Sequence, residues 1–435
     1  MYILICKLII YSAVAQFFID MVTGKRFEFF IAGRYWQPMQ ISMVIVLYCW
    51  IFMYVLTKKS SFYKIPKIGK LWKVLFVSCI GSILWGVYNG FGKGYIGFWG
   101  DSEVLFWIVV SIVIGYSVNR DEKKIYLALQ SLKKVIILFT TVGIVYGIQK
   151  NFLGLSIFGI VHFNEYFLLA FFFFVFFNDV IITGSRKKID IWGLYLIAIF
   201  LIVNFHKAII LSSFCVSLVV IFLTQKENKS AKKKPIIKLM KKILIPGIVT
   251  ILLAIMLTDT MQIESVKRFA RYQWTERILH ESTGDISAGR FDLWKFTFNI
   301  VEKEPLRGAG VGFRVEEEYD RKTGESTLKV SNTGINVHNH WIYFFGALGI
   351  PGALIIITTF ISYLFLTALT IKQKYTKSTD VACFIPWWSF SFMLSIFGLF
   401  GLWNISPVGF ILFGFSIGFT LKVVSSSKTI LLKKS

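Results

Sequence analysis

Acidic residues are scarce in this 435-residue chain: 24 Asp and Glu stand against 48 Lys and Arg, a formal charge of +24. Charge of either sign is sparse too. Charged residues make up 17% of the chain, where soluble domains carry about 25%. That deficit excludes the roughly three soluble domains the length alone would suggest. Cysteine is limited to five residues, Cys6, Cys49, Cys79, Cys215 and Cys383, all inside apolar runs and none spaced CxxC. This argues against a disulfide framework or a cysteine metal site and leaves them as packing residues. The chain has no internal repeat, no long low-complexity tract and no P-loop Lys-Ser/Thr or Rossmann context.

What the chain has is apolar length. Runs near the ~20 residues of a membrane-spanning helix recur at about 2–22, 38–57, 72–88, 102–118, 133–150, 163–182, 190–205, 208–224, 243–259, 341–371, 381–402 and 408–424. The expected fold is therefore an all-α polytopic membrane protein, a single membrane domain over 1–435 with about 12 transmembrane helices. Ala13-Val14-Ala15 mimics a signal-peptidase site, but the apolar run continues through Ile19, which favours a retained first helix. The tenth run is long enough to begin as an interfacial or tilted segment.

Lys-rich stretches at 58–73, 119–134, 183–190, 225–242, 372–380 and from 422 onward alternate with Lys-poor ones. The positive-inside rule places these six stretches, and both termini, in the cytoplasm. On that topology 30 basic residues face six acidic ones inside, and 18 face 18 outside. The whole basic excess is cytoplasmic, where it sets orientation and meets anionic lipid, so nucleic acid is not an expected partner. Residues 260–339 form one large extracytoplasmic loop between the ninth and tenth helices. It is rich in aromatics, and from Arg290 the residues Phe291, Trp294, Phe298 and Val301 recur at helical spacing. That is an amphipathic helix lying either on the membrane surface or on the bundle. The acidic run Glu316, Glu317, Glu318 and Asp320 reads as a solvated face.

Candidate chemistry gathers outside. All five histidines, His162, His206, His280, His338 and His340, fall at or beyond the outer ends of helices, where a lone histidine is ordinarily an exposed or capping residue. Val337-His338-Asn339-His340-Trp341 closes the long loop and opens the tenth run, followed by Gly349 and Gly352. His-Asn, nine residues, Gly, two residues, Gly resembles the signature of the O-antigen ligase/polymerase superfamily, which includes O-antigen ligases, Wzy-type polysaccharide polymerases and some protein oligosaccharyltransferases. Gly289-Arg290-Phe291-Asp292-Leu293-Trp294 is similar to a GR-x-x-x-W element of that family. The stretch Pro305-Leu306-Arg307-Gly308-Ala309-Gly310-Val311-Gly312-Phe313 resembles its P-L-x-G-x-G-x-G-F element. His162-Phe163-Asn164-Glu165 resembles an H-P-N-E helix opening, with Phe163 in place of proline. Where the family commonly has Ser-Arg before the long loop, this chain has His206-Lys207. Lys207 keeps the charge but not the bidentate fork of arginine, so His206 is a candidate to share that role.

The resemblance implies a GT-C-like fold and transfer of a glycan from undecaprenyl diphosphate to a sugar hydroxyl, on the outer side of a bacterial cytoplasmic membrane. It implies no cofactor and no metal, and no outer-facing Asp-x-Asp element is present. A histidine near pKa ~6.5 suits deprotonation of the acceptor, so His338 is the expected general base of an inverting reaction. The diphosphate needs fixed positive charge, for which Arg290 comes first and Lys207 second. Arg307 and Arg314 flank the glycine-rich turn, whose backbone could approach a phosphate. Asn339, His206, His162, Asn164 and Glu165 are further candidates for substrate contact, and Asp179 is a second intramembrane charge. The leading expectation is a polymerase of lipid-linked repeat units for capsule, exopolysaccharide or O-antigen. Its partners would be the lipid-linked oligosaccharide, membrane lipid, a chain-length regulator and a flippase. The alternatives are a ligase to lipid A core and, in another class, a lipid-linked oligosaccharide flippase or transporter. Transporters often carry related halves and midplane polar sites, and neither is evident here.

Overall fold

A computed structural model describes residues 29–31, 34–36, 38–56, 70–95, 97–118, 122–152, 166–203, 207–224, 290–319, 326–331, 337, 339–375, 383–399 and 407–426, with scattered positions between 7 and 19. A short hairpin, β1 (Phe29–Ile31) and β2 (Arg34–Trp36), precedes α1 (Pro38–Leu56), α2 (Lys70–Phe91), α3 (Gly97–Val118) and α4 (Glu122–Phe152). Then come α5 (Tyr166–Phe177) with a π turn over Asn178–Ile182, α6 (Lys188–Val203) and α7 (Lys207–Thr224). Next come α8 (Arg290–Lys303) and an antiparallel hairpin, β3 (Arg314–Tyr319) with β4 (Ser326–Ser331). The helices α9 (His340–Tyr375), α10 (Ile385–Phe397) and α11 (Pro407–Ser426) follow.

The protein is mostly helical and its apolar runs become helices, as hydropathy requires of chains that must satisfy their backbone inside lipid. Among the described residues, Lys73–Phe91, Gly97–Ser117, Ile125–Val145 and His340–Gln373 are long and apolar enough to cross a membrane, joined by shorter apolar helices such as Tyr166–Ile182 and Val408–Leu421. Two hairpins correct the all-α expectation. Glu316, Glu317 and Glu318 of the acidic run fall on β3, where Glu316 pairs in register with Lys329. The run at 243–259 lies outside the described residues.

The core is aromatic. Nearly all of α5 is buried, and its Phe171 packs on Trp387 and Phe390 of α10. α3 and α11 lie in close contact because glycines remove side chains at the crossing: a Cβ at Gly414 or Gly418 would strike the α3 backbone at Ile108 or Ile112. Small residues allow such approach where packing, not water, drives helix association. Deeper in the bundle, Lys133 of α4 is buried between Asp179 of the π turn and Asp190 of α6, and Tyr126 and Gln130 also donate to Asp179. By sequence Lys133 belongs to a Lys-rich cytoplasmic stretch; because α4 begins at Glu122, its charge instead enters a buried ion triad.

The tenth apolar run is two helices. At Gly349 the backbone adopts φ 70°, ψ 179°, a conformation essentially confined to glycine, and Pro351 follows. In a straight helix Trp341 and Phe360 would be about 28 Å apart; their ring centroids are 5.4 Å apart. The first limb of α9 (340–348) therefore folds back along the second (350–375). The expected interfacial start is instead a re-entrant limb inside the bundle.

Candidate functional site

The re-entrant limb starts at a capped end. Asn339 Oδ1 accepts hydrogen bonds from the Trp341 and Ile342 N–H groups, at 3.0 and 3.1 Å, and its Nδ2 donates to the Leu399 carbonyl at 2.9 Å. This is an N-cap with both ends of the amide in use, and Asn339 is 4% exposed. Asn339 is thus a structural residue where a substrate contact was expected, and it fixes the backbone next to His338. The His340 N–H donates to the Gly398 carbonyl and the Trp341 indole to the Ser395 carbonyl. The limb's start is thereby tied to the C-terminal end of α10.

From there a chain of contacts joins other element ends. Phe397, at the end of α10, meets Phe167 at the start of α5 edge-on at 5.2 Å. Tyr166 meets Phe200, near the end of α6, at 5.8 Å, and α7 opens at Lys207 a few residues later. On the other side, the Trp294 indole of α8 donates to the Val337 carbonyl at 3.2 Å. The start of α5, the end of α6 and the starts of α8 and α9 thus converge around the end of α10. The sequence candidates belong to these ends. His162, Asn164 and Glu165 precede α5, His206-Lys207 joins α6 to α7, Arg290 opens α8, and His338 precedes the Asn339 cap. His338, His206, His162, Asn164 and Glu165 themselves lie outside the described residues, as do the side chains of Arg290 and Lys207.

Two candidates lie elsewhere, at the Gly349 elbow. The Arg314 guanidinium is bidentate to Asp101 on α3, at 2.8 and 3.0 Å, and is 15% exposed. Burial alone would lower its pKa, but the hydrogen bonds and charge of Asp101 outweigh it and hold the group above its ordinary value. Tyr343 completes the cluster: its hydroxyl donates to Asp101 at 2.6 Å and accepts from the Gly312 N–H at 2.9 Å. Arg314 is thus committed to an internal carboxylate, which corrects its expected diphosphate role. Arg307 is exposed beside the elbow, where its carbonyl accepts from Asn89 at 3.3 Å.

The glycine-rich turn is not a phosphate cradle either. Its amides are spent on protein acceptors: Gly308 on Glu304, Ala309 on Gly346, Gly310 on Ala347, Val311 on Gly86 and Gly312 on Tyr343. The glycines serve close approach. A Cβ at Gly308 would stand 2.6 Å from the Gly346 carbonyl oxygen, and one at Gly310 would collide with the Gly90 backbone. The turn is a strap wedged between α2, α3 and the elbow. Sequence reasoning misses Asp101 and Tyr343, which hold it; the only hint is a carboxylate one residue ahead of an apolar run.

α8 rests on the re-entrant limb. Its buried face is Leu293, Thr297, Ile300 and Val301, while Phe298 is 45% exposed yet still meets Phe345 at 6.3 Å. The bundle, of the two expected resting places, is the one this helix contacts. Inside the fold-back, an apolar groove of about 310 Å³ runs between α2, α3, α9 and α11, lined by Cys79, Ile108, Phe344, Phe360 and Phe413 among others. Phe344 is one turn from His340, and their rings are 6.1 Å apart, so the groove reaches to within a turn of the motif. Among the described residues no three His, Cys, Asp or Glu side chains gather as a metal-ligand set.

No curated protein sequence matches the chain. Residues 171–357 match the family model for O-antigen ligase. The matched segment runs from α5 to the elbow and takes in the α6–α7 junction, Arg290, the strap and the His338-Asn339 cap. That segment is similar to the O-antigen ligase/polymerase superfamily, a glycosyl-transferring class, here on a membrane-embedded helical frame.

Proposed function

We propose that the protein is a bacterial polysaccharide polymerase that moves a glycan from undecaprenyl diphosphate to a hydroxyl of a second lipid-linked repeat unit. The observation that carries this reading is the convergence of the starts of α5, α8 and α9 on the end of α10, with an apolar groove reaching to within a turn of His340; in the sequence His338, Arg290 and Lys207 stand at element ends. A diphosphate-linked lipid needs that pairing: an apolar wall for part of the tail and cations beside it for the leaving group. In the bilayer the chain has about 12 spans in a GT-C-like arrangement, both termini in the cytoplasm and the converging ends facing outward.

In the proposed reaction His338 takes the proton of the acceptor hydroxyl as its oxygen attacks the anomeric carbon. The bond from that carbon to the diphosphate oxygen breaks, and the electron pair leaves on undecaprenyl diphosphate, giving inversion without a metal. Arg290 and Lys207 stabilise the charge gathering on the diphosphate. Asn339 holds the backbone that carries His338, and α8, tied to Val337 through Trp294, holds Arg290 at the same end.

Purified protein supplied with a lipid-diphosphate repeat unit should yield longer glycans on one lipid. His338→Ala should abolish transfer while the lipid substrate still binds. Near-wild-type transfer by that variant would remove the base role. Transfer only to lipid A core would make the protein a ligase, and movement of intact lipid without bond formation would make it a transporter.

A further inference from the structure

One end of α8 belongs to the converging ends; the other opens onto a different feature. Between the last turn of α8, the α2–α3 connection and the elbow lie two adjoining surface basins of about 470 and 420 Å³. They share Lys93, Lys303 and Glu304 as walls. Asn89 and Arg307 line the first, and Tyr95, Asn299 and Lys329 line the second. Four basic groups thus stand around one carboxylate, although residues 260–339 as a whole carry twelve basic and twelve acidic residues. Glu304 is 3.5 Å from Lys93, and among the described residues that line the basins basic groups outnumber acidic ones.

The chemistry of the walls is mixed. Two amides and a tyrosine stand between the cations. Burial and the Glu304 charge raise the Tyr95 pKa, so its hydroxyl remains a donor. A compact anion is served by converging cations alone, whereas amides, a phenol and a carboxylate suit a ligand rich in hydroxyls that carries occasional negative charge. Distance separates these basins from the reaction. Trp294 is bonded to Val337 at one end of α8, and Lys303 is nine residues away, about 14 Å along the axis. A diphosphate held beside His338 does not extend that far; a sugar chain does. Between the two, α8 exposes Asp292, Lys295, Asn299 and Lys303 at helical spacing on one polar stripe.

We infer that the α8 stripe and the two basins form a glycan track that takes an acidic saccharide, bearing carboxylate or phosphate groups, as the part of the sugar chain remote from the reacting end. The inference rests on the glycan-transfer reading for what happens at the reacting end, but binding at the basins can be read separately.

The test uses the full-length protein in neutral detergent and the double variant K93Q/K303Q, whose exposed positions leave the core untouched. A fluorescent hexagalacturonate serves as acidic probe and maltohexaose as its neutral counterpart. The wild type should bind the acidic probe more tightly than the neutral one, with affinity falling as salt rises. The variant should bind it about tenfold more weakly at an unchanged melting temperature. In transfer assays the variant should elongate a single repeat unit at close to the wild-type rate but stop at shorter chains when the repeat is acidic. Equal binding of the acidic probe by wild type and variant, or equal affinity for the two probes, overturns the track. A variant defect that follows the anionic lipid content of vesicles rather than glycan length overturns it in favour of a headgroup site. If acidic-probe binding behaves as expected but no transfer occurs with any lipid-linked unit, the track stands and the polymerase reading falls.

Discussion

Replacing Gly349 by alanine tests the re-entrant geometry directly. The backbone there has φ 70°, ψ 179°, and holding an L residue in such a region costs roughly 1–3 kcal/mol. The new methyl would also stand 2.7 Å from the Pro305 carbonyl oxygen and 2.8 Å from the Leu306 carbonyl carbon. Neither neighbour is a flexible side-chain end. Pro305 is anchored to the elbow by the Ile350 N–H at 2.8 Å, so relief means giving up that hydrogen bond, worth about 1 kcal/mol net. Together the two effects come to about 2–4 kcal/mol, which for a chain of 435 residues lowers the melting temperature by roughly 2–4 °C. Gly81 in α2 is the matched control: a Cβ there meets nothing within 4 Å, and alanine gains up to about 1 kcal/mol of helix propensity. Tryptophan-fluorescence melting of the purified proteins reads both. G349A should fall measurably below wild type and lose transfer, while G81A should match or exceed wild type. If G349A melts with the wild type, or G81A falls equally far, the fold-back at Gly349 is not what holds the limb.

Other perturbations separate the roles of the buried polar groups. Asp101→Ala leaves the Arg314 charge without its partner and should destabilise by about 3–5 kcal/mol, whereas Tyr343→Phe, which orphans the Gly312 N–H, should cost about 1–3 kcal/mol; chemical denaturation ranks them, and the reverse order refutes the cluster as drawn. Asn339→Ala should lose about 0.5–2 kcal/mol and most transfer activity, with Asn339→Asp recovering the cap more than the tie to Leu399, as melting and product formation will read together. Lys133→Met should be strongly destabilising because two carboxylates lose their cation, and adding Asp179→Asn and Asp190→Asn should restore much of the stability; no recovery in the triple variant would mean the triad acts through shape rather than charge.

Helix positions are legible because apolar length and period are local properties of a sequence. The element ends that the candidate residues flank are legible because polar side chains there interrupt apolar runs, and several of those ends converge. Fold-back at Gly349 is not legible, since both limbs are equally apolar and a glycine inside such a run reads first as tolerated. Arg314 misleads because its partner, Asp101, is 213 residues away, and a lone arginine beside glycines looks like an anion site until its carboxylate is placed. The strap misleads for a related reason: glycine spacing announces a close backbone approach but not which backbone makes it. Here that backbone is Gly86, Gly90 and Gly97-Phe98 of the protein's own helices.

The strap has a consequence for how freely such proteins can be recombined. The family match begins at residue 171, yet the matched strap is locked to α2 and α3 by Gly86, Gly90 and Asp101. The frame of the candidate site is therefore split across a boundary that sequence similarity does not register. A chimera joining the N-terminal helices of one relative to the matched segment of another would inherit two half-interfaces cut for different partners. It should fold only when the glycines and the carboxylate of the donor's first helices match the incoming strap.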